Sequence, residues 1–371
     1  MKVLYGVQGT GNGHLSRARA MARAFADSSI EVDYLFSGRA PSRFFDMECF
    51  GAYATRRGLT FVNRNGRVDY RRTLLGNDYL RFLRDVLTLD LADYDAVVTD
   101  FEPITAWAGR LCGRRVISMG HQPAFDYAVP VANRDLRSSL VMRLFAPGDV
   151  RVGMHWSKFG APILPPLIDV RDGPMEYRRD KVLVYLPFEC QARVQAMLAD
   201  IKGYQFHVYA PGLAYEERGH LKLRPTSLAG FRRDLHDCSA VLCNAGFELA
   251  SECLALGKRL LVKPQSRQME QASNALALRE LGYGDALEEL DVDRIRTWLA
   301  REEPAPQICF PDVATAIVRW LEAGDFGSRA LESLSTRLWQ GVRVRAGTLL
   351  PQTGCHATDA PGEPGLSAPL A

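Results

Sequence analysis

Short apolar segments alternate with helix-spaced ones along most of this chain, and the alternation runs twice. In the first run, residues 2–7 (KVLYGV) make a strand-like apolar stretch, and 15–26 carries apolar residues at helical spacing. Further apolar runs at 31–36, 96–99 and 116–119 are bounded by turn or polar residues, with helical stretches at 79–89 and 104–112 between them. Alternation of this kind implies a parallel sheet with helices on both faces.

Residues 158–174 break the rhythm with Gly160, Pro162, Pro165, Pro166, Gly173 and Pro174, the composition of a connection between domains. The alternation then resumes: strands at 182–186, 205–209, 240–243 and 259–262, helices at 189–198, 228–235, 247–256 and 270–281. Two similar halves joined by a proline-rich segment predict an α/β protein of two Rossmann-like, doubly wound domains facing each other. The expected boundaries are 1–157, a linker at 158–180, a second domain at 181–325 and an extension at 326–371. Helices at 294–299 and 313–321 would close the second domain. From about 347 the composition turns to Pro, Gly, Ala, Ser and Thr, which predicts disorder, because too little apolar area is available to offset the entropy of ordering.

The 371 residues are enough for two domains, each with its own core. No apolar run approaches the roughly 18–20 residues of a membrane span. The first residues read as a buried strand and not as a secretion signal, so the expected location is the cytoplasm. Eight cysteines are scattered without C-x-x-C spacing, which reads as small buried hydrophobes in a reducing compartment. A net charge of +3 gives no ground for nucleic acid as a partner. Locally, Arg64, Arg67, Arg71, Arg72, Arg81 and Arg84 interleave with Tyr70, Leu74, Leu75, Tyr79, Leu80 and Phe82. Such a stretch is either a solvated surface or a patch suited to anionic lipid or an acidic acceptor.

The most informative segment is 240–274. A strand (AVLC) runs into Asn244-Ala245-Gly246 and then a helix bearing Glu248 and Glu252. The first amides of a helix are unpaired and its dipole is positive there, so a diphosphate suits the position, and Gly246 allows a ligand close to the backbone. Glu252, about two turns on, can reach ribose hydroxyls. After a second short strand, Glu270-Gln271-Ala272-Ser273-Asn274 opens another helix. A carboxylate beside a carboxamide offers acceptors and donors together, which suits neighbouring sugar hydroxyls.

In the first half, Gly9-Thr10-Gly11-Asn12-Gly13-His14 follows the first strand and precedes a helix. The spacing is G-x-G-x-G with His14 in place of the third glycine of a dinucleotide fingerprint, and no lysine makes it a P-loop. What remains is a flexible anion-friendly loop that delivers His14, a residue type suited to general-base work near neutral pH. Asp100 ends the predicted strand at 96–99. Parallel sheets gather ligand groups at the C-terminal ends of their strands, so Asp100 and the Gly9–His14 loop share one edge. His121, after the next strand, belongs to the same rim, for acceptor binding or for structure. Asp93-Tyr94-Asp95 has the D-x-D form of a metal motif but stands before a strand, so it reads as a polar corner; no metal site is expected.

Gly246, Glu252, Gly257, a short apolar strand, a proline and E-Q-x-x-N together resemble the donor signature of GT-B glycosyltransferases. They are most similar to UDP-dependent, family 28-like enzymes such as the peptidoglycan transferase that adds N-acetylglucosamine to a lipid-linked precursor, and within these to a little-characterised bacterial and archaeal branch. The Gly-rich loop with its histidine resembles the N-terminal loop of the same family, with one more residue between its glycines. Asn244 departs from the pattern, since many relatives carry histidine there. The resemblance implies Gly246 at the diphosphate, Glu252 on the ribose, Glu270 and Gln271 on the donor sugar, Asn274 bracing the turn, and Asp100 orienting His14. It also implies a terminal helix packed back on the first domain.

The expected activity is inverting, metal-independent transfer of a sugar from a nucleotide-sugar, UDP-linked, to a hydroxyl acceptor. The nucleotide-sugar is a co-substrate and no cofactor is expected. The acceptor would be a glycolipid or cell-envelope glycan met at the cytoplasmic face of the inner membrane. The competing readings are a nucleotide-sugar epimerase on the same fold and a non-catalytic nucleotide-sugar-binding protein.

Overall fold

The computed structural model of the chain describes residues 1–64, 66–132, 136–169, 177–301 and 303–345. Within that range there are two separate parallel-dominated sheets. The first runs, edge to edge, Tyr53–Thr55, Glu31–Ser37, Lys2–Gln8, Ala96–Asp100, Arg115–Gly120 and Val150–Gly153, with every pair parallel. The second places Leu221–Arg224, Gln205–Tyr209, Arg178–Tyr185, Cys238–Cys243, Arg259–Val262 and Asp285–Ala286 side by side in parallel. Glu216–Arg218 adds an antiparallel edge to it. Counted along the chain, the six parallel strands of either sheet take the order 3-2-1-4-5-6, the doubly wound order whose switch point opens between strands 1 and 4. These are the two Rossmann-like halves that the alternation predicts.

Side chains alternate across each strand. Val3, Tyr5 and Val7 join Leu15, Met21 and Phe25 on one face, and Leu4 packs with Val97 and Ile104 on the other. The Pro103–Leu111 helix lies so close to the first strand that a Cβ on Gly6 would fall 1.9 Å from Thr105 Oγ1. Glycine is what permits that approach.

The predicted strands and helices of both runs are present with ends shifted by a few residues. Several short or weakly patterned elements were not expected, including the Tyr70–Gly76 and Leu136–Leu144 helices and the Val150–Gly153 strand. The Arg178–Tyr185 strand begins inside the segment expected as linker. Residues 170–176 of that linker, and the tail expected to be disordered from 347, lie outside the described residues. The extension at 326–371 holds an unpredicted helix, Ser328–Gln340, whose Leu331, Leu334 and Leu338 make one buried face. Trp339 Nε1 and Ser335 Oγ both donate to Ile163 O at 2.7 Å, which fixes that helix on the chain between the sheets. The Val313–Ala323 helix packs on the Asn12–Ala26 helix, and Glu322 Oε1 accepts from Ser29 N at 2.8 Å. The terminal helix therefore returns to the first half, as the resemblance implies.

Cys238, Cys243 and Cys253 are buried, but Cys49, Cys112 and Cys190 are exposed and Cys309 is disulfide-bonded, against the expectation of uniformly buried, reduced thiols. Among the described residues no helix is long and apolar enough to cross a membrane.

Candidate active site

The C-terminal strand ends of the two sheets face a common cleft of about 680 Å3, a size ordinary for a small-molecule site. Its walls come from the segments after the first, fourth and fifth strands of the first sheet (Gln8–Arg17, Phe101, His121) and from the corresponding segments of the second (Tyr185–Phe188, Asn244–Glu252, Gln265–Gln271). The Asn12–Ala26 helix starts at one wall and the Phe247–Ala255 helix at the other, and neither has a side-chain cap on its first amides. Two uncapped helix amino ends on one cleft make an anion site.

The Gly-rich loop owes its shape to contacts. Gly9 N donates to Ser37 O at 2.6 Å, and a Cβ at Gly9 would lie 2.7 Å from both that oxygen and the Phe44 ring. Thr10 Oγ1 accepts from Gln8 Nε2 at 2.7 Å, and Asn12 Nδ2 donates to Tyr185 OH of the second half at 3.1 Å. A Cβ on Gly13 would meet Glu248 Cγ at 2.9 Å, so the loop presses on the Phe247–Ala255 helix. Gly11 is roomier, with His14 its nearest neighbour at 3.8 Å.

His14 opens the helix and meets Asp100 as predicted, Nδ1 to Oδ1 at 2.8 Å. Asp100 is fully buried, at the end of its strand, and Phe101 after it takes a left-handed φ of 55°. Strain of that kind in a non-glycine residue collects at functional sites. Burial alone would raise the Asp100 carboxyl, but the Arg17 guanidinium and His14 outweigh it and hold it at about 2. An ionised Asp100 accepts, so Nδ1 carries the proton, and Nε2 has no hydrogen-bond partner among the described residues.

Arg17 was not foreseen. It lies three residues past His14, on the same helix face, and is buried. Its Nε and Nη2 each donate to Asp100 at 2.7 Å, and Nη1 pairs with Glu248 across the cleft. Gly120, at φ 134°, leaves room for this cluster: a Cβ there would lie 3.1 Å from Arg17 Nη2. The string R-A-R after His14 is visible in the sequence and both arginines are buried, but only the structure shows that Arg17 meets Asp100 while Arg19 donates to Phe45 O at 2.9 Å and Asp46 O at 3.2 Å.

On the second-half wall, Glu252 Oε1 accepts from Ser16 Oγ of the first half at 2.9 Å. Burial raises its carboxyl, against the Ser16 hydrogen bond. Gly246 has φ −76°, open to any residue, and a Cβ there would touch nothing within 4 Å. No tight turn requires glycine at this position, and the space before the helix is open. Asn244 lines the cleft, and its Nδ2 donates to Lys263 O at 2.9 Å. Asn274 braces the turn at Ala245, its Nδ2 donating to Ala245 O at 3.0 Å, and not the sugar-binding turn that the resemblance implies for it. Gln271 Oε1 accepts from Gln265 N at 2.8 Å, so it shapes the loop before its own helix, and Glu270 Oε2 accepts from Gln122 Nε2 at 3.3 Å.

His121 sits at a joint between the halves. Nδ1 lies 2.9 Å from Met154 O and Nε2 2.6 Å from Asn274 Oδ1, while its ring stacks on Phe247 at 4.0 Å. Of its two expected roles the geometry favours structure, because both ring nitrogens are engaged.

No curated protein matches this chain. Solved structures of the same fold include the glycosyltransferase SnogD from Streptomyces nogalater, with TM-score 0.52 and 15% identity over 88% of this chain and 99% of that one. The spinosyn forosaminyltransferase SpnP gives TM-score 0.54 and 15% identity over 92% and 98%. The spinosyn rhamnosyltransferase SpnG complexed with thymidine diphosphate gives 0.52 and 16% over 92% and 96%. At such identities the likeness speaks to the fold, which is GT-B. The model of glycosyl transferase family 1 matches residues 1–302, both sheets and the cleft between them. The chain belongs to glycosyl transferase family 1.

Proposed function

We propose that this glycosyltransferase works by inverting displacement without a metal, moving a sugar from a nucleotide diphosphate donor to an acceptor hydroxyl. The observation that carries the reading is the His14–Asp100 pair facing, across one cleft, the uncapped end of the Phe247–Ala255 helix. His14 Nε2 takes the proton of the acceptor hydroxyl as its oxygen attacks the anomeric carbon, and the bond from that carbon to the diphosphate breaks. The charge left on the diphosphate is met by helix amides and by the neighbouring loop. Glu252 holds the ribose, and Glu270 with Gln271 holds the sugar. A UDP-sugar is the first donor to test and a dTDP-sugar the second, since SpnG was solved with thymidine diphosphate. The experiment is calorimetric donor binding in the presence of a chelator, followed by proton NMR of the product made from an α-linked donor. Product of β configuration, formed with chelator present, supports the reading; α product or dependence on metal overturns it.

For the acceptor we infer an apolar, lipid-linked molecule of the cell envelope. Phe45, Phe61, Leu74, Phe101, Val141 and Met142 line the first-half wall of the cleft. Outside that mouth Leu75, Tyr79, Leu80, Leu83, Leu87, Leu140 and Leu144 are exposed, with Leu75 at 82% and Leu80 at 84%. They lie on three helices, two of which contribute Phe82 and Met142 to one apolar cluster with Phe61, and exposed Arg71, Arg72, Arg81, Arg84 and Arg143 stand on the same helices. The side chains of Arg64 and Tyr70, two further members of the predicted patch, lie outside the described ones. An apolar surface of this extent among arginines suits the interface of an anionic bilayer. Co-sedimentation with phosphatidylglycerol vesicles, lost in Leu75→Glu/Leu80→Glu, supports this, whereas equal partition of the two proteins would remove it.

A further inference from the structure

One cation serves two carboxylates at the heart of the cleft. Arg17 donates twice to Asp100 and once to Glu248, and all three side chains are buried, Glu248 at 6% exposure. With both acids ionised the trio carries one net negative charge in a site that expels water, which is costly. Two acids sharing one partner separate into an ionised and a neutral member. Asp100 has the bidentate pair and the His14 contact; Glu248 has a single contact from Arg17 and further negative neighbours in Asp100 and in Glu252, one turn along its own helix. The remaining titratable group facing it is the buried Tyr5 hydroxyl of the first strand.

Glu248 also stands in the first turn of the helix whose amino end faces the donor. An ionised carboxylate there competes with a diphosphate for the same amides. Its Oε2 is buried and has no hydrogen-bond partner among the described residues. A protonated carboxyl has one O–H to donate, and an orphaned buried oxygen on a ligand-facing wall marks a place where a ligand atom completes the bonding.

We propose that Glu248 acts as a neutral carboxylic acid whose Oε2 hydroxyl donates a hydrogen bond to the donor diphosphate, so that the donor binds only while Glu248 holds its proton. The inference rests on the donor-site reading above. Burial pushes the Glu248 carboxyl up to about 8, with Arg17 opposing it, so the acid is mostly neutral at pH 7 and mostly ionised at pH 9.

The test is calorimetric binding of UDP and dTDP to the full chain between pH 7 and pH 9. Affinity falls about tenfold over that range in the wild type, the loss expected of one proton released near pH 8. Glu248→Gln keeps an N–H donor in place of the acid, so its affinity at pH 7 stays within about threefold of wild type and is flat with pH. A flat wild-type profile, or an unchanged slope in Glu248→Gln, overturns the proposal. If the variant does not fold, binding heats of the wild type at pH 9 in two buffers of different ionisation enthalpy decide it. Uptake of close to one proton per nucleotide is expected, and no uptake refutes it. Absence of binding by either nucleotide at pH 7 overturns the donor-site reading and this proposal together; binding without proton linkage overturns this one alone.

Discussion

Asp100 Oδ1 lies 2.8 Å from His14 Nδ1, and the same oxygen accepts from Arg17 Nη2 at 2.7 Å. The carboxylate thus fixes the ring's tautomer on one side while its charge is neutralised on the other. With Nδ1 protonated, Nε2 is the basic position of the ring.

His14→Ala removes that base and nothing that holds the donor. We expect kcat to fall by about 10²–10⁴, with the dissociation constant for the donor within about threefold of wild type. Steady-state kinetics and calorimetry together read this. A parallel loss of donor affinity would assign His14 to binding instead.

Arg17→Met leaves Asp100 and Glu248 buried without their cation. Breaking a buried pair from one side costs roughly 3–5 kcal/mol, so urea unfolding at pH 7 is expected to show a large drop in midpoint. Arg17→Lys keeps the charge but not the two-pronged contact with Asp100, and is expected to recover part of the stability and little of the turnover.

The pH dependence of folding carries the mark of Asp100. Its folded carboxyl is depressed to about 2 from an ordinary 3.8. Its contribution is therefore fully present above about pH 4 and is lost as pH falls towards 2, with a size of about 2 kcal/mol. Acid unfolding of Asp100→Asn, followed by circular dichroism, should be shallower than that of wild type between pH 4 and 2, from a lower starting stability. Equal slopes would show that Asp100 titrates alike in both states.

Gly9 and Gly246 separate stability from binding. A methyl on Gly9 collides with Ser37 O and the Phe44 ring at 2.7 Å, so Gly9→Ala is expected to cost about 1–3 kcal/mol in thermal or urea unfolding. A methyl on Gly246 meets no atom of the protein within 4 Å. Gly246→Ala should leave stability within about 1 kcal/mol, by the ordinary scale of cap substitutions, yet weaken donor binding because the methyl stands where the diphosphate approaches. Undiminished affinity in Gly246→Ala would remove the diphosphate from that helix end.

Much of this protein was legible in the apolar runs between residues 2 and 119 and between 182 and 281. Strand and helix periods of two and 3.6 are local properties, so the run of apolar segments dictated two parallel sheets. The doubly wound rule then put His14, Asp100 and Gly246 at their ligand edges. The pairing of His14 with Asp100 was expected and is present, whereas the contact of Asn274 Nδ2 with the Ala245 carbonyl was not foreseen. Elements with little internal pattern, such as the Leu136–Leu144 helix and the Val150–Gly153 strand, form because neighbouring strands and helices offer them a surface, and no local period announces them. The same holds at the site. Gln271 Oε1 accepts from Gln265 N and Asn244 Nδ2 donates to Lys263 O, contacts that no local pattern announces. Arg17 bears no motif, yet it joins the two halves through Asp100 and Glu248. Periodicity specifies which face of an element is apolar, but the meeting of Arg17 with Glu248, 231 residues apart, exists only once two separately built sheets are brought edge to edge. Burial raises both acids there; the Arg17 and His14 contacts hold Asp100 at about 2, while Glu248, with a single contact from Arg17, rises to about 8.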